Sequence, residues 1–546
     1  MNDFFQQGPQ LDNQYTDDAA LRGVLARYLP DEVRKRIEPG LQNLGKRAVG
    51  DLLDMAQAAQ AQSPQHIPYD PWGRRIDAIE TSDAWQSLNT AAAEEAIVAS
   101  AYARKEKEFS RLHQFARLYL YHPSSAIYSC PLAMTDGAAR LIELHGDDYL
   151  KNTVLPRFTS TDPANFWTAG QWMTERAGGS DVSNTATVAR QEKGQWQLHG
   201  VKWFTSATTG QAAFTLARIE EEGSPQKDLS LFFIELRDEQ GRLRNIQVNR
   251  LKDKLGTRAL PTAELTLQGT PARLVGEPGN GIRQISTILN ITRLYNACCA
   301  AGYMRRGLAL AHDYATRRRV FGKLLIEQPL HGRTLQLMDT EHRAAMQLVF
   351  YCASLLGKEE TNTASDAERA TLRLLTPITK LYTAKQAVAV ASEALECFGG
   401  AGYIEDTGLP VLLRDAQVLT IWEGTTNVLS LDVLRVLKKP EALSALMDDM
   451  QQRLKNCTDP LMSEAAQQAD RMLSEVQQQA QAMTKNPDNA QTQARQFAYQ
   501  LARSVCAVLL LQQAHWNAEK NTPDKEKSIE AAKVWCAANG MPLEKG

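Results

Sequence analysis

The chain has 546 residues, more than a single hydrophobic core accommodates, so roughly two to four domains are expected. Its 43% hydrophobic and 23% charged content is that of an ordinary globular protein, and a net charge of −2 gives no bulk attraction to nucleic acid or to an anionic membrane. No apolar run nears the ~20 residues that span a bilayer, no basic-then-apolar leader opens the chain, and the eight scattered cysteines lack metal-ligand spacing, so a reducing compartment, the cytoplasm, is expected and a metal site is not.

Residues 1–165 read as mostly helical. The runs 52–59 and 91–98 are rich in strong helix formers. Two breaks interrupt them, Tyr69-Asp70-Pro71-Trp72-Gly73-Arg74-Arg75-Ile76-Asp77 and His122-Pro123-Ser124-Ser125. Over 166–285 the period changes. Segments 195–204, 214–217, 229–234 and 263–267 are rich in β-branched and aromatic residues, and Glu192-Lys193-Gly194 and Glu221-Glu222-Gly223-Ser224-Pro225 separate them as turns. That spacing predicts an antiparallel sandwich or barrel, with no helix of useful length inside. Residues 286–440 return to long helical periods (285–317, 330–356, 365–398, 427–437), which predicts an antiparallel bundle. The last segment, 441–546, is helical and glutamine-rich, with eleven Lys/Arg against thirteen Asp/Glu. The expected class is therefore α+β: a helical N-terminal domain, a β domain, a four-helix bundle and an additional helical domain.

Five stretches carry chemistry. In Gln171-Trp172-Met173-Thr174-Glu175-Arg176-Ala177-Gly178-Gly179-Ser180-Asp181 the paired glycines let backbone N–H groups approach a ligand, and the Thr174 and Ser180 hydroxyls can donate to it; alone, Gly-Gly-Ser is a turn. Lys202-Trp203-Phe204-Thr205-Ser206 alternates rings with hydroxyls, as a flat ligand with a polar edge requires, although an ordinary packed strand looks the same. Arg317-Arg318-Arg319-Val320-Phe321-Gly322 leads to Gln328; arginines bind phosphate bidentately, and they also suit a helix C-terminus. Cys397-Phe398-Gly399-Gly400-Ala401-Gly402-Tyr403 has more glycines than one helix cap needs. In Ile421-Trp422-Glu423-Gly424-Thr425-Thr426-Asn427 a single carboxylate stands between bulky side chains, where desolvation makes a carboxylate a better base; on its own the stretch reads as a solvated turn after a helix.

In order and spacing these stretches resemble the acyl-CoA dehydrogenase family over about residues 130–440: Thr-Glu-x-x-x-Gly-Ser-Asp, Lys-x-aromatic-x-hydroxyl, Arg-x-x-Phe-Gly, Phe-Gly-Gly-x-Gly-Tyr and Glu-Gly-Thr. The resemblance implies an α-β-α enzyme, commonly tetrameric, with FAD held between the sheet domain and the bundle. Gln171, Met173, Thr174, Gly179, Ser180, Phe204, Thr205 and Ser206 would then contact the flavin half, with Ser180 also toward substrate. Arg318, Phe321, Gln328, Glu396, Gly399 and Gly400 would reach the diphosphate and adenine of a neighbouring subunit's FAD. Ile421, Trp422, Gly424, Thr425 and Asn427 would complete the cofactor site, Glu423 would be the catalytic base, and Arg293 would face it beside the substrate.

The implied reaction is α,β-dehydrogenation of a short or branched acyl-CoA, with electron transfer flavoprotein or dioxygen as acceptor. Phe204 and Ser206 stand where many members have Trp and Thr, Glu396 replaces a Gln, Pro329 stands where some members carry a Gln, and Trp422 replaces a smaller ring that borders the acyl group. The segments 69–77, 173–175, 202–204, 421–424 and 431–437, with the long C-terminal extension, look closest to the AidB-like branch. That branch implies an alternative, a DNA-associated flavoprotein of the alkylation-damage response with weak dehydrogenase activity. Arg435, Lys438 and Lys439 could serve it, but DNA affinity needs clustered cations and the tail beyond them is acidic by two.

Overall fold

The computed structural model describes residues 7–221, 223–485 and 487–537. The first six residues of the leader stretch, Glu222 within the turn cluster, Asn486, and the last nine residues of the C-terminal extension lie outside them. The chain forms two compact units. One comprises 51–103 and 124–292; the other comprises residues up to 50, 104–123 and those from 293 onward.

The first unit is built on a β barrel. Its strands are β3 (Ala169–Gln171), β4 (Val188–Glu192), β5 (Gln195–Ser206), β6 (Ala212–Glu221), β7 (Ser224–Glu235), β8 (Ile246–Leu251) and β9 (Thr262–Val275), after a hairpin of β1 (Gln65–Tyr69) and β2 (Arg75–Glu80). β6, β4, β5, β9 and β7 pair in a closed ring, with β3 added beside β6 and β8 beside β9. Most pairings are antiparallel, as the sequence predicts, but β3–β6 and β4–β6 are parallel. Alternation along β6 divides the unit into two cores: Phe214 and Leu216 join Leu141, Ile142 and Phe158 of the helices, while Ala213, Ala217 and Ile219 join Trp172, Phe232 and Leu265 inside the ring.

The β1–β2 hairpin is the element that sequence periodicity missed, because its Pro and Gly read as a break. A single buried carboxylate fixes it. Asp77, at φ +47°, accepts from Arg75 (2.7 Å) and from the Val248 amide of β8 (3.2 Å) and pairs with His66 (2.9 Å).

In the second unit the long helices Pro329–Glu360 and Asp366–Glu396, the part of Gly281–Arg317 from Arg293 onward, Pro410–Leu419 and Thr426–Leu437 form the bundle. Ser365 and Glu368 make a capping box at the start of Asp366–Glu396. The C-terminal helices Pro440–Lys455, Ser463–Lys485, Pro487–Glu519 and Lys525–Ala537 belong to the same unit. A buried ion pair welds them on, the Arg343 guanidinium donating to both Asp524 oxygens (2.7 and 2.9 Å), while within the extension the Arg503 guanidinium lies over the Trp535 ring. Among the described residues no helix is long and apolar enough to cross a membrane.

Candidate active site

In the barrel unit, a buried ion pair sets the Gly-Gly loop. Glu175 accepts from Lys202 Nζ (2.7 Å), from Thr187 Oγ1 (2.5 Å) and from the Ala186 amide (2.7 Å). Burial pushes the Glu175 carboxyl up, but Lys202 and these hydrogen bonds outweigh it and hold the group ionised. Glu175 and Gly178 exchange backbone hydrogen bonds (3.2 and 3.1 Å), and the Trp203 amide donates to Thr174 O (2.9 Å), so loop and strand β5 are locked together. A Cβ on Gly179 would lie 2.8 Å from Thr174 Oγ1, and Gly178 sits at φ +149°, conformations that need glycine. In the sequence Glu175 and Lys202 stand only as motif residues, and nothing there shows that they pair, since residues 27 apart carry no periodic signal.

Strand β5 carries one extra residue against β9, since Lys202 faces Leu265 while Thr205 faces Ala263. Such a bulge re-aims side chains. Phe204 is 54% exposed, Thr205 is fully buried with its hydroxyl donated to Ala263 O (2.8 Å), and Ser206 Oγ lies 3.1 Å from Thr262 Oγ1. The Thr205 side chain is thus committed inside the barrel and has only its backbone to offer a ligand. Met173 is buried in the helix-facing core, Ser180 is exposed, and Gln171 Oε1 is buried without a hydrogen-bond partner.

In the helical unit, Glu423 occupies a short turn between Pro410–Leu419 and Thr426–Leu437. It stands half-buried at φ +58°, followed by Gly424 at φ +107°. Two cations from two bundle helices hold this turn by its carbonyls. Arg293 Nε donates to Glu423 O (3.2 Å), and Lys380 Nζ donates to Gly424 O (2.6 Å). Arg293 is fixed in turn by Asp432 (2.8 Å), which also accepts from Arg373 (2.8 Å). Burial lowers the Lys380 ammonium to about 7, against the pull of Glu423 and with the push of Arg293. Trp422 is half-buried, Ile421, Thr425 and Asn427 are exposed, and Asn427 Oδ1 accepts from Arg495 (3.4 Å). Lys380, Arg373 and Asp432 were missed; the available signal was a lone lysine in the apolar run Leu374-Leu375-Thr376-Pro377-Ile378-Thr379-Lys380-Leu381.

At the far end of the first bundle helix, Arg319–Val320 (β10) and Lys323–Leu324 (β11) form a two-residue hairpin. Phe321 (φ +48°) and Gly322 (φ +79°) are its type I′ turn, and the Phe321 ring is 99% exposed. Arg318 O accepts from Leu325 N (2.8 Å), and Gln328 Nε2 donates to Val320 O (3.1 Å). The Tyr314 and Phe398 rings, 4.7 Å apart, bring the Gly399–Gly400 turn to the same end. Glu396, Gly399 and Gly400 are exposed there, and a Cβ on either glycine would meet nothing.

The barrel unit thus carries an exposed ring at a strand bulge and the bundle unit a carboxylate on a turn held by its carbonyls, and comparison with known proteins gives their class, the flavoprotein dehydrogenases. Residues 279–438 and 170–270 match the C-terminal and middle domains of acyl-CoA dehydrogenases, 7–162 match the N-terminal domain of the adaptive response protein AidB, and 441–545 match the acyl-CoA dehydrogenase 11 C-terminal domain-like family. Acyl-CoA dehydrogenase family member 11 of Caenorhabditis elegans is 43% identical over 98% of this chain and 88% of its own length. The crystal structure of that C. elegans protein with C11-CoA superposes with a TM-score of 0.94, at 41% identity, over 100% of this chain and 94% of that one. Putative acyl-CoA dehydrogenase AidB of Escherichia coli is 32% identical over 75% of this chain and 76% of its own.

The chain belongs to the acyl-CoA dehydrogenase family, oxidoreductases that act on CH–CH donors with FAD, and within it to the AidB-like branch. The residues present fit that cofactor. In the barrel unit the orphaned Gln171 Oε1, the exposed Phe204 ring and the unobstructed Gly178 suit a flat, polar-edged ring, and in the helical unit the unobstructed Gly399 and Gly400 suit the close approach of a phosphate.

Proposed function

We propose that the protein catalyses α,β-dehydrogenation of an acyl-CoA thioester with Glu423 as the base that removes the α-proton. When bound, FAD supplies the acceptor for the β-hydrogen, which leaves as hydride. Gln171, Met173, Thr174, Gly179, Ser180, Phe204 and Ser206 would hold its ring, and Arg318, Phe321, Gln328, Glu396, Gly399 and Gly400 the diphosphate and adenine of a neighbouring copy's FAD. Glu423 must be presented at one angle, because proton removal requires its oxygen in line with a single C–H bond. The observation that supports this role is the turn itself: a non-glycine residue at φ +58°, held by an arginine and a lysine from separate helices.

Trp422 beside the base favours a short or branched acyl group, whereas the C. elegans relative was crystallised with C11-CoA. Chain length is therefore read directly, by mixing the flavin-loaded protein anaerobically with acyl-CoAs graded from short and branched to medium chain. Bleaching of the oxidised flavin band identifies the substrate, and Glu423→Gln lowers its rate by roughly 10²–10⁴-fold. Bleaching at the wild-type rate in that variant, or none with any acyl-CoA, refutes the assignment. For the final electron acceptor we infer an electron transfer flavoprotein or dioxygen, which oxygen uptake during aerobic turnover tells apart.

A further inference from the structure

Lys380 is fully buried, and its Nζ donates to the carbonyl of Gly424, the residue that follows the base. A lysine placed there only to fill space would be replaced without cost by an apolar side chain, since burying an ammonium is expensive. The charges around it are few. Glu423 attracts it and Arg293 repels it, and the charge of Arg293 is itself offset by Asp432, which Arg373 and Arg435 also approach. Burial brings the Lys380 ammonium down to about 7.

We propose that Lys380 is a positioning residue for Glu423, whose ammonium fixes the Glu423–Gly424 turn and sets the pH at which the carboxylate becomes available to take a proton. The inference rests on the reading of Glu423 as the base. A protonated Lys380 favours the ionised carboxylate, so base is available at lower pH. Loss of that proton near pH 7 leaves a carboxylate with greater proton affinity, which removes a carbon-bound proton faster. The wild-type dependence on pH therefore rises in two steps, the second near neutrality.

The test separates proton removal from hydride loss. A 3-thia-acyl-CoA has sulfur in place of the β-carbon and cannot yield hydride there, so exchange of its α-hydrogen in D₂O, followed by mass spectrometry on the flavin-loaded protein, reports the base alone. In Lys380→Gln, which retains a donor for Gly424 O but no charge, the profile collapses to one step whose midpoint lies higher by about one pH unit. In Lys380→Arg, always charged, the neutral step disappears while the first midpoint stays. A Lys380→Gln profile that superimposes on wild type after scaling overturns the proposal. If the Gln variant does not fold, persistence of the neutral step in Lys380→Arg overturns it instead. Glu423→Gln keeps the two readings apart: continued exchange in that variant removes Glu423 as base. Lost exchange there, with unaltered Lys380 profiles, removes only the role of Lys380.

Discussion

Gly424 at φ +107° occupies backbone space that a side chain enters only under strain, and a Cβ there would stand 3.1 Å from Leu429 Cδ2. Gly424→Ala is expected to cost about 1–3 kcal/mol of stability in urea denaturation and to slow flavin bleaching as well, because the strain falls on the peptide that Lys380 grips. Lys380 also leaves a signature on stability. Its folded value is lowered to about 7 from 10.5, so the unfolded chain retains a proton that the folded chain has released. Stability must therefore rise with pH from about 7 toward 10, and that gain must be missing in Lys380→Gln when thermal midpoints are compared across the range. The barrel has its own buried lysine. Lys202→Met strands the Glu175 carboxylate in a site where only 6% of its side chain meets solvent, and should cost roughly 3–5 kcal/mol by urea denaturation.

At the scale of elements, periodicity located what is periodic. The bundle helices predicted over 285–317, 330–356 and 365–398 correspond to Gly281–Arg317, Pro329–Glu360 and Asp366–Glu396, and among the described residues the β region contains no helix longer than a 3₁₀ turn before Gly281. What escaped lies in pairings between distant segments. The parallel partners of β6 and the β7–β9 closure of the barrel depend on pairs such as Val188↔Arg218, Ala169↔Ala212 and Leu231↔Val275, too far apart in sequence for any window to register. The β1–β2 hairpin was hidden by its turn residues, and the bulge at Trp203-Phe204 by the regular alternation on either side. The candidate site shows the same division. Glu423, Phe204 and the glycines stand out as motif residues, whereas Glu175 with Lys202, and Lys380 with the Asp432 cluster, become visible only once helices and strands lie side by side. A carboxylate's setting is tertiary, and local sequence records little of it.

For the molecule as a whole, the hairpin around Phe321 presents a phenyl ring to solvent, and Tyr403 is 87% exposed. Single exposed rings are ordinary at a protein surface, so the expectation of a second copy over this end rests on the family resemblance, which implies a symmetric oligomer. A tetramer is expected by mass photometry, and Phe321→Asp should move the population to smaller species and weaken FAD retention. The C-terminal helices are equally part of the unit. Removing residues from 441 onward uncovers Arg343 and the face of Pro329–Glu360 against which Cys506 donates to Ala344 O (3.6 Å), so the shortened chain should lose its cooperative thermal transition.

Arg495, on the long C-terminal helix, reaches Asn427 four residues beyond Glu423. Injury to that distant appendage, by proteolysis or by a destabilising replacement, would be felt first as a slackened Glu423 turn. The Glu175–Lys202 pair and the bulge at Phe204 lie in the other compact unit and would be disturbed later. A preparation can on this account stay yellow while losing turnover, and colour alone would be a poor gauge of intact enzyme.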